Sequence, residues 1–294
     1  MNSSQYFGYP KLWQEKVPQM AFRVPSLLHL VLAFSALHMA LMRPDEAHRY
    51  ERLADAHHAL GVPPVTRLIR DINKENAPIL FIASNLICIS TFARRPAPGH
   101  LLIIAEGSEV PWLNLFRGVR FVIETMGVEA IFRPLGSMGA CFQAGNYSHL
   151  QCDTKPVLWE AHFESLSSLV SESEPSEQET YRYELESLST CFSAAFGTVE
   201  TARKMDGSHF KSVTRWLYDL HDDYITCLQG KQTTALIILA HFMVALRSIE
   251  HGPFGRGWSW HVLKEIKGLL DIQDISWLTW PIEQVKEWDH LSGH

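Results

Sequence analysis

The chain has 294 residues, 46% hydrophobic and 20% charged, a balance that supports one sizeable core or two small ones and excludes disorder as its main theme. Its formal net charge is −6 and no Lys/Arg block exceeds two in a row, so the footprint of a nucleic-acid binder is missing and none is expected for this chain alone. The five cysteines, Cys88, Cys141, Cys152, Cys191 and Cys227, are scattered and never spaced C-x-x-C, which fits reduced intracellular thiols and gives no zinc site.

Tyr6–Phe22 reads as amphipathic and aromatic, irregular or a short helix, with no apolar stretch of the signal-peptide kind. From Ser26, a suitable N-cap, the apolar run predicts a core helix to Met42 that ends before Pro44. Asp45–Leu60 follows as a half-exposed helix, stopped by Gly61 and restarted by Pro63-Pro64 through Ile72. Glu75–Ala93 is apolar on nearly every side and is the central helix of the prediction. Glu75 and Asn76 are placed to satisfy its first backbone N–H groups, and the mid-helix Asn85 needs a partner in protein, water or ligand. The two most apolar runs, Ser26–Met42 and Ala77–Ala93, fall short of the ~20 residues of a bilayer span and carry His29, His38 and Asn85, so no membrane span is expected.

Residues 94–110 read as a loop with a short apolar insert, a crossover or a lid. Trp112–Met126 is a predicted helix, and residues 127–147 a broken helix and loop. Residues 165–178, SLSSLVSESEPSEQ, have the composition of a mobile linker. Beyond them, Tyr181–Thr201 is a long amphipathic helix with a stripe of Tyr181, Leu185, Leu188, Cys191, Phe192 and Ala195. Phe210–Leu228 and Lys231–Glu250 follow as a helix pair, then a helix over residues 257–272 and a tryptophan-rich tail, WLTWPI, lying back on the body. No alternating strand pattern bounded by hairpin turns occurs, so the expected fold is all-α, a single domain of about ten helices over residues 1–294.

Five segments in this order, LLHLVLAFSALHMA (27–40), the helix bearing His57-His58, ENAPILFIASNLI (75–87), WLNLFRGVRFVI (112–123) and ALIILAHFMVAL (235–246), resemble the regulatory domain of fungal binuclear zinc-cluster transcription factors. The sterol-uptake-control subgroup is the most similar. The resemblance implies an all-helical ligand binder with an apolar pocket for a sterol-like molecule, a homodimer, and a nuclear location. The sequence starts where that ligand domain starts, and five cysteines cannot build the family's six-cysteine cluster, so the expectation is a ligand domain without a DNA-binding head. The same domain shape is similar to that of fungal humulene-type sesquiterpene cyclases. The leading expectation is therefore a cytoplasmic, Mg2+-dependent cyclase of farnesyl diphosphate, and the alternative a sterol- or metabolite-sensing regulator without enzymatic activity.

Ionising an allylic diphosphate requires carboxylates for magnesium, cations for the leaving group and a dry aromatic cavity. Asp219, Asp222 and Asp223, at i, i+3 and i+4, project to one side if one helix carries them, although acids near a helix start are also ordinary dipole-favoured residues. Arg117 and Arg120, one turn apart, suit phosphate oxygens, or else ordinary surface pairing. Asn85 completes the catalytic set. The pocket candidates are Phe81, Phe116, His241, Phe242, Met243 and Trp258; packing of a plain core is the competing explanation for each.

Overall fold

Apolar periodicity decides where most helices form, and packing decides the places where residue-type rules would have stopped them. The computed structural model describes residues 12–105, 108–110, 157–200, 208–250 and 257–291, with the single positions 113, 126, 127, 129 and 131. These residues are all-α: eleven α-helices and one antiparallel pair of two-residue strands. The predicted Trp112–Met126 helix and the 127–147 loop fall outside the described residues apart from those single positions. Contacts divide the chain into two compact units, Met1–Arg94 with Pro111–His149 and Gly252–Gly255, and Arg95–Val110 with Leu150–His251 and Arg256–His294.

In the first unit a wide turn over Leu12–Lys16 runs into α1 (Val17–Ala21), and α2 (Pro25–Met42), α3 (Ala47–Leu68) and α4 (Ala77–Ala93) follow. Among the described helices α2 alone is long and apolar enough to cross a membrane, and it packs along α3 and α4. Pro25 opens α2, and Ser26 is its second residue and buried, not its cap. The predicted break at Gly61 does not occur, because α3 runs through Gly61, Pro63 and Pro64 without interruption. The reason is contact with α2. A Cβ at Gly61 would lie 2.8 Å from Leu30 Cγ and 3.0 Å from the Ser26 carbonyl, so this glycine lets two helices touch where any side chain would hold them apart. Ahead of α4, Asn73 Oδ1 accepts the N–H groups of Glu75 and Asn76, and Asn76 Oδ1 accepts that of Asn73. The side chain of Asn76, the N-cap, thus bonds back into the turn and makes no cap bond to α4, contrary to the expectation for Glu75 and Asn76. Twelve of the seventeen residues of α4 are buried, as its all-round apolar sequence predicts.

The second unit contains the insert of residues 95–110. Leu101–Ile104 are 0–3% exposed, and Ile104–Ala105 pairs with Ser108–Glu109 as β1 and β2. The insert is thus part of a core and not a mobile lid. Residues 165–178, expected as a linker, belong to α5 (Glu160–Glu172) and α6 (Pro175–Phe196), with only Ser173 and Glu174 between them. Phe163, Leu166 and Val170 give α5 a buried stripe, and the hydroxyls of Ser165, Ser167, Ser168 and Ser171 bond the carbonyls four residues back. At the corner, Gln178 Nε2 donates to the carbonyls of Ser171 and Ser173, and Pro175 opens the next helix.

α6 ends at Gly197, whose φ of 81° ordinary side chains avoid, short of the predicted Thr201. The expected Phe210–Leu228 helix is two, α7 (Ser208–Asp219) and α8 (Asp222–Gln229), separated by Leu220 and an extended His221. α9 (Thr233–Arg247) is buried at every position from Thr234 to Arg247, and each fully buried Leu, Ile, Phe or Met there contributes roughly 1.5–3 kcal/mol. α10 (Trp258–Leu269), a 3-10 turn at Ile275–Leu278 and α11 (Thr279–Leu291) pack against α9, so the tryptophan-rich tail is helical and lies on α9, with Leu278 buried and Trp277 and Trp280 half-buried.

Candidate functional site

The residues singled out from sequence lie in both units. In the first, Phe81 is 5% exposed, and Asn85 Nδ2 donates to the Phe81 carbonyl at 2.7 Å, one turn back on α4. The amide's partner is thus its own helix. Arg117, Arg120 and Phe116 lie outside the described residues.

In the second unit His241, Phe242 and Met243 are consecutive and all buried, so they radiate over more than half of the α9 circumference and do not form one wall. His241 Nδ1 bonds the Ile237 carbonyl at 2.8 Å, and its ring stacks on Trp280, whose indole also stacks with His162. Burial holds the His241 pKa down, to about 4, so this imidazole is neutral at physiological pH. Phe242 stacks on Trp216 with centroids 4.2 Å apart, and Trp258 is 3% exposed at the start of α10. These contacts are those of a packed aromatic core.

The aspartates do not share a helix face. Asp219 ends α7 and accepts Arg215 Nε at 3.0 Å; Asp222 and Asp223 begin α8 in exposed positions after the break at Leu220-His221. The break has an identifiable cause on α6. Glu184 is fully buried, and its Oε1 accepts the His221 N–H at 2.9 Å, which fixes His221 in an extended conformation. Among the described residues no three His, Cys, Asp or Glu side chains gather in a way that could hold a metal ion, so the three aspartates do not fit Mg2+ as a set.

Glu184 is the group that sequence reading missed. Its other oxygen, Oε2, is buried without a hydrogen-bond partner among the described residues, the His221 imidazole lies 3.6 Å from Oε1, and burial raises its pKa to about 7. The backbone bond from His221 opposes that rise and Asp219 adds to it. A signal existed: position 184 falls between Tyr181 and Leu185 on the apolar stripe of α6, where a charged residue has to be paired or neutral. Glu250 is the second such carboxylate. It accepts the Ser259 N–H at 2.7 Å and the Ser259 hydroxyl at 2.8 Å, satisfying the start of α10, and burial lifts its pKa to about 7 as well. Cys88 and Cys191 behave as the small hydrophobes expected of them, their thiols pushed up to about 12 by burial.

A family model described as the fungal specific transcription factor domain matches residues 3–195, roughly two thirds of the chain. No curated protein and no solved structure matches it.

Proposed function

Since the chain belongs to the fungal specific transcription factor domain family, we propose that it is a regulatory domain that senses an apolar small molecule of sterol or isoprenoid size and works in the nucleus. The family match is the observation that carries this reading, and the all-helical build of the described residues agrees with it. The chemistry of the described interior is suited to an uncharged ligand. Taken unit by unit, α4 in the first and α9 in the second are apolar, and the polar groups Asn85 and His241 are already bonded to carbonyls of their own helices. A diphosphate would need cations and metal-holding carboxylates, and Asp219 is paired with Arg215 while Asp222 and Asp223 open a different helix. The regulatory reading therefore takes precedence over the cyclase.

The test is a fusion of this chain to a heterologous DNA-binding module driving a reporter, in cells depleted of or supplied with sterols and isoprenoid alcohols. Reporter output that follows one of these ligands, with the purified chain binding it, is expected. Output indifferent to every ligand, combined with conversion of farnesyl diphosphate to volatile hydrocarbons by the purified protein, would overturn the proposal in favour of a cyclase.

A further inference from the structure

One pair of histidines plays no part in the reading above. His29 on α2 and His57 on α3 meet with their Nδ1 atoms 2.9 Å apart and their ring centroids 5.2 Å apart, tilted by 32°. Both rings are half-buried, so water reaches the site from one side. At this separation one Nδ1 carries the proton and the other accepts it, which fixes opposite tautomers on the two rings.

The backbone beneath the pair is held in place by the close approach at Gly61. His57 and Gly61 are one turn apart on α3, and the residues that Gly61 meets, Ser26 and Leu30, flank His29 on α2. Two imidazoles on two rigid helices at a fixed spacing are the ingredients of a cross-helix chelate. Tetrahedral ligands at the ~2.0–2.1 Å of Zn–N bonds lie about 3.3 Å apart, so the pair has to open by only about 0.4 Å and turn its rings until both lone pairs converge.

We propose that His29 and His57 form a two-nitrogen site for a borderline divalent transition metal of the zinc or copper class, clamping α2 to α3, with water or a small ligand in the remaining positions. The proton shared at Nδ1 moves to Nε2 of the same ring when the metal binds, so both imidazoles stay neutral and no proton leaves the pair. The hard cations magnesium and calcium, which take oxygen ligands, do not bind a site whose two protein ligands are imidazole nitrogens. The clamp is independent of what the domain senses, and its test does not involve that ligand.

The purified chain is melted in EDTA, in Zn2+ and in Mg2+, beside His29→Gln and His57→Gln, and stoichiometric Cu2+ is followed by electron paramagnetic resonance. With Zn2+ at a hundredfold excess over its Kd, the folded-to-unfolded ratio of the wild type rises about a hundredfold and EDTA reverses it. Each variant keeps a cooperative melt in EDTA and loses that response, and the wild-type copper spectrum shows two equivalent nitrogens that each variant reduces. The chain holds 15 histidines, so an equal Zn2+ response in the wild type and both variants means an adventitious ion only and overturns the clamp. No response at all, or an equal response to Mg2+, also overturns it. If a variant fails to melt cooperatively in EDTA, the wild-type copper spectrum decides, and a spectrum without nitrogen couplings refutes the site.

Discussion

Replacing Glu184 by Gln tests the account of the α7–α8 break most directly. The carboxyl is buried, titrates near 7 where an ordinary glutamate titrates at 4.5, and owes the rise first to desolvation. A raised carboxyl pKa means that the folded state keeps its proton after the unfolded chain has released it. Stability due to this group therefore falls as pH rises from about 4.5 to about 7 and stays low above that. At about 1.36 kcal/mol per pH unit the loss is about 3 kcal/mol. Gln keeps an oxygen for the His221 N–H, and its NH2 is no worse placed than the hydroxyl of the protonated acid, because Oε2 has no partner in either case. The variant should therefore match the wild type at pH 4.5 and exceed it by about 3 kcal/mol at pH 8, measured by urea unfolding followed through tryptophan fluorescence. A difference between the two proteins that is the same at both pH values would refute the assignment.

Glu250→Ala strands the buried N–H and hydroxyl of Ser259 and should cost about 2–3 kcal/mol, with Glu250→Gln recovering part of it in the same unfolding experiment. Gly61→Ala should destabilise by about 1 kcal/mol, since overpacking against Leu30 and the Ser26 carbonyl outweighs the helix propensity gained; a stabilised variant would mean that the helices do not touch there. The His241 imidazole should stay neutral down to about pH 4 by NMR titration, and because its pKa is lowered it contributes stability that is present above about 6.5 and lost as pH falls towards 4. Gln178→Ala removes both bonds at the α5–α6 corner and should cost about 1–2 kcal/mol of thermal stability, while a variant as stable as the wild type would make those bonds incidental.

The all-α fold and its two most buried helices, α4 and α9, were legible because all-round apolarity over fifteen or more residues has no other soluble solution. Breaks were less legible, and for a consistent reason. The serines of α5 read as solvent-seeking when counted by composition, yet the hydroxyls of Ser165, Ser167, Ser168 and Ser171 are taken up by their own helix, which leaves the buried stripe of Phe163, Leu166 and Val170 to decide. Gly61 and the two prolines after it read as a stop, but their effect depends on how closely α2 approaches, which no local window contains. Conversely, Asp219, Asp222 and Asp223 read as one helix face because periodicity cannot see Glu184, thirty-seven residues before His221, holding the joint between them. Spacing along a chain predicts a shared face only while the helix continues. Phe81, His241, Phe242, Met243 and Trp258 are buried, as packing in a plain core also requires, and Arg117, Arg120 and Phe116 lie outside the described residues.

The prolines in α3 have an effect beyond shape. Pro63 and Pro64 cannot donate to the carbonyls of Ala59 and Leu60, so two consecutive rungs of the backbone ladder are missing at a point where both of those residues face water. The last turn of α3 is held instead by its side chains, Val65 fully buried and Leu68 and Ile69 packed against the same core, while the half that carries His57 and Gly61 is held by the α2 contact. Two residues usually counted as helix breakers thus shift the work of holding this end of a long helix from the backbone ladder to buried side chains.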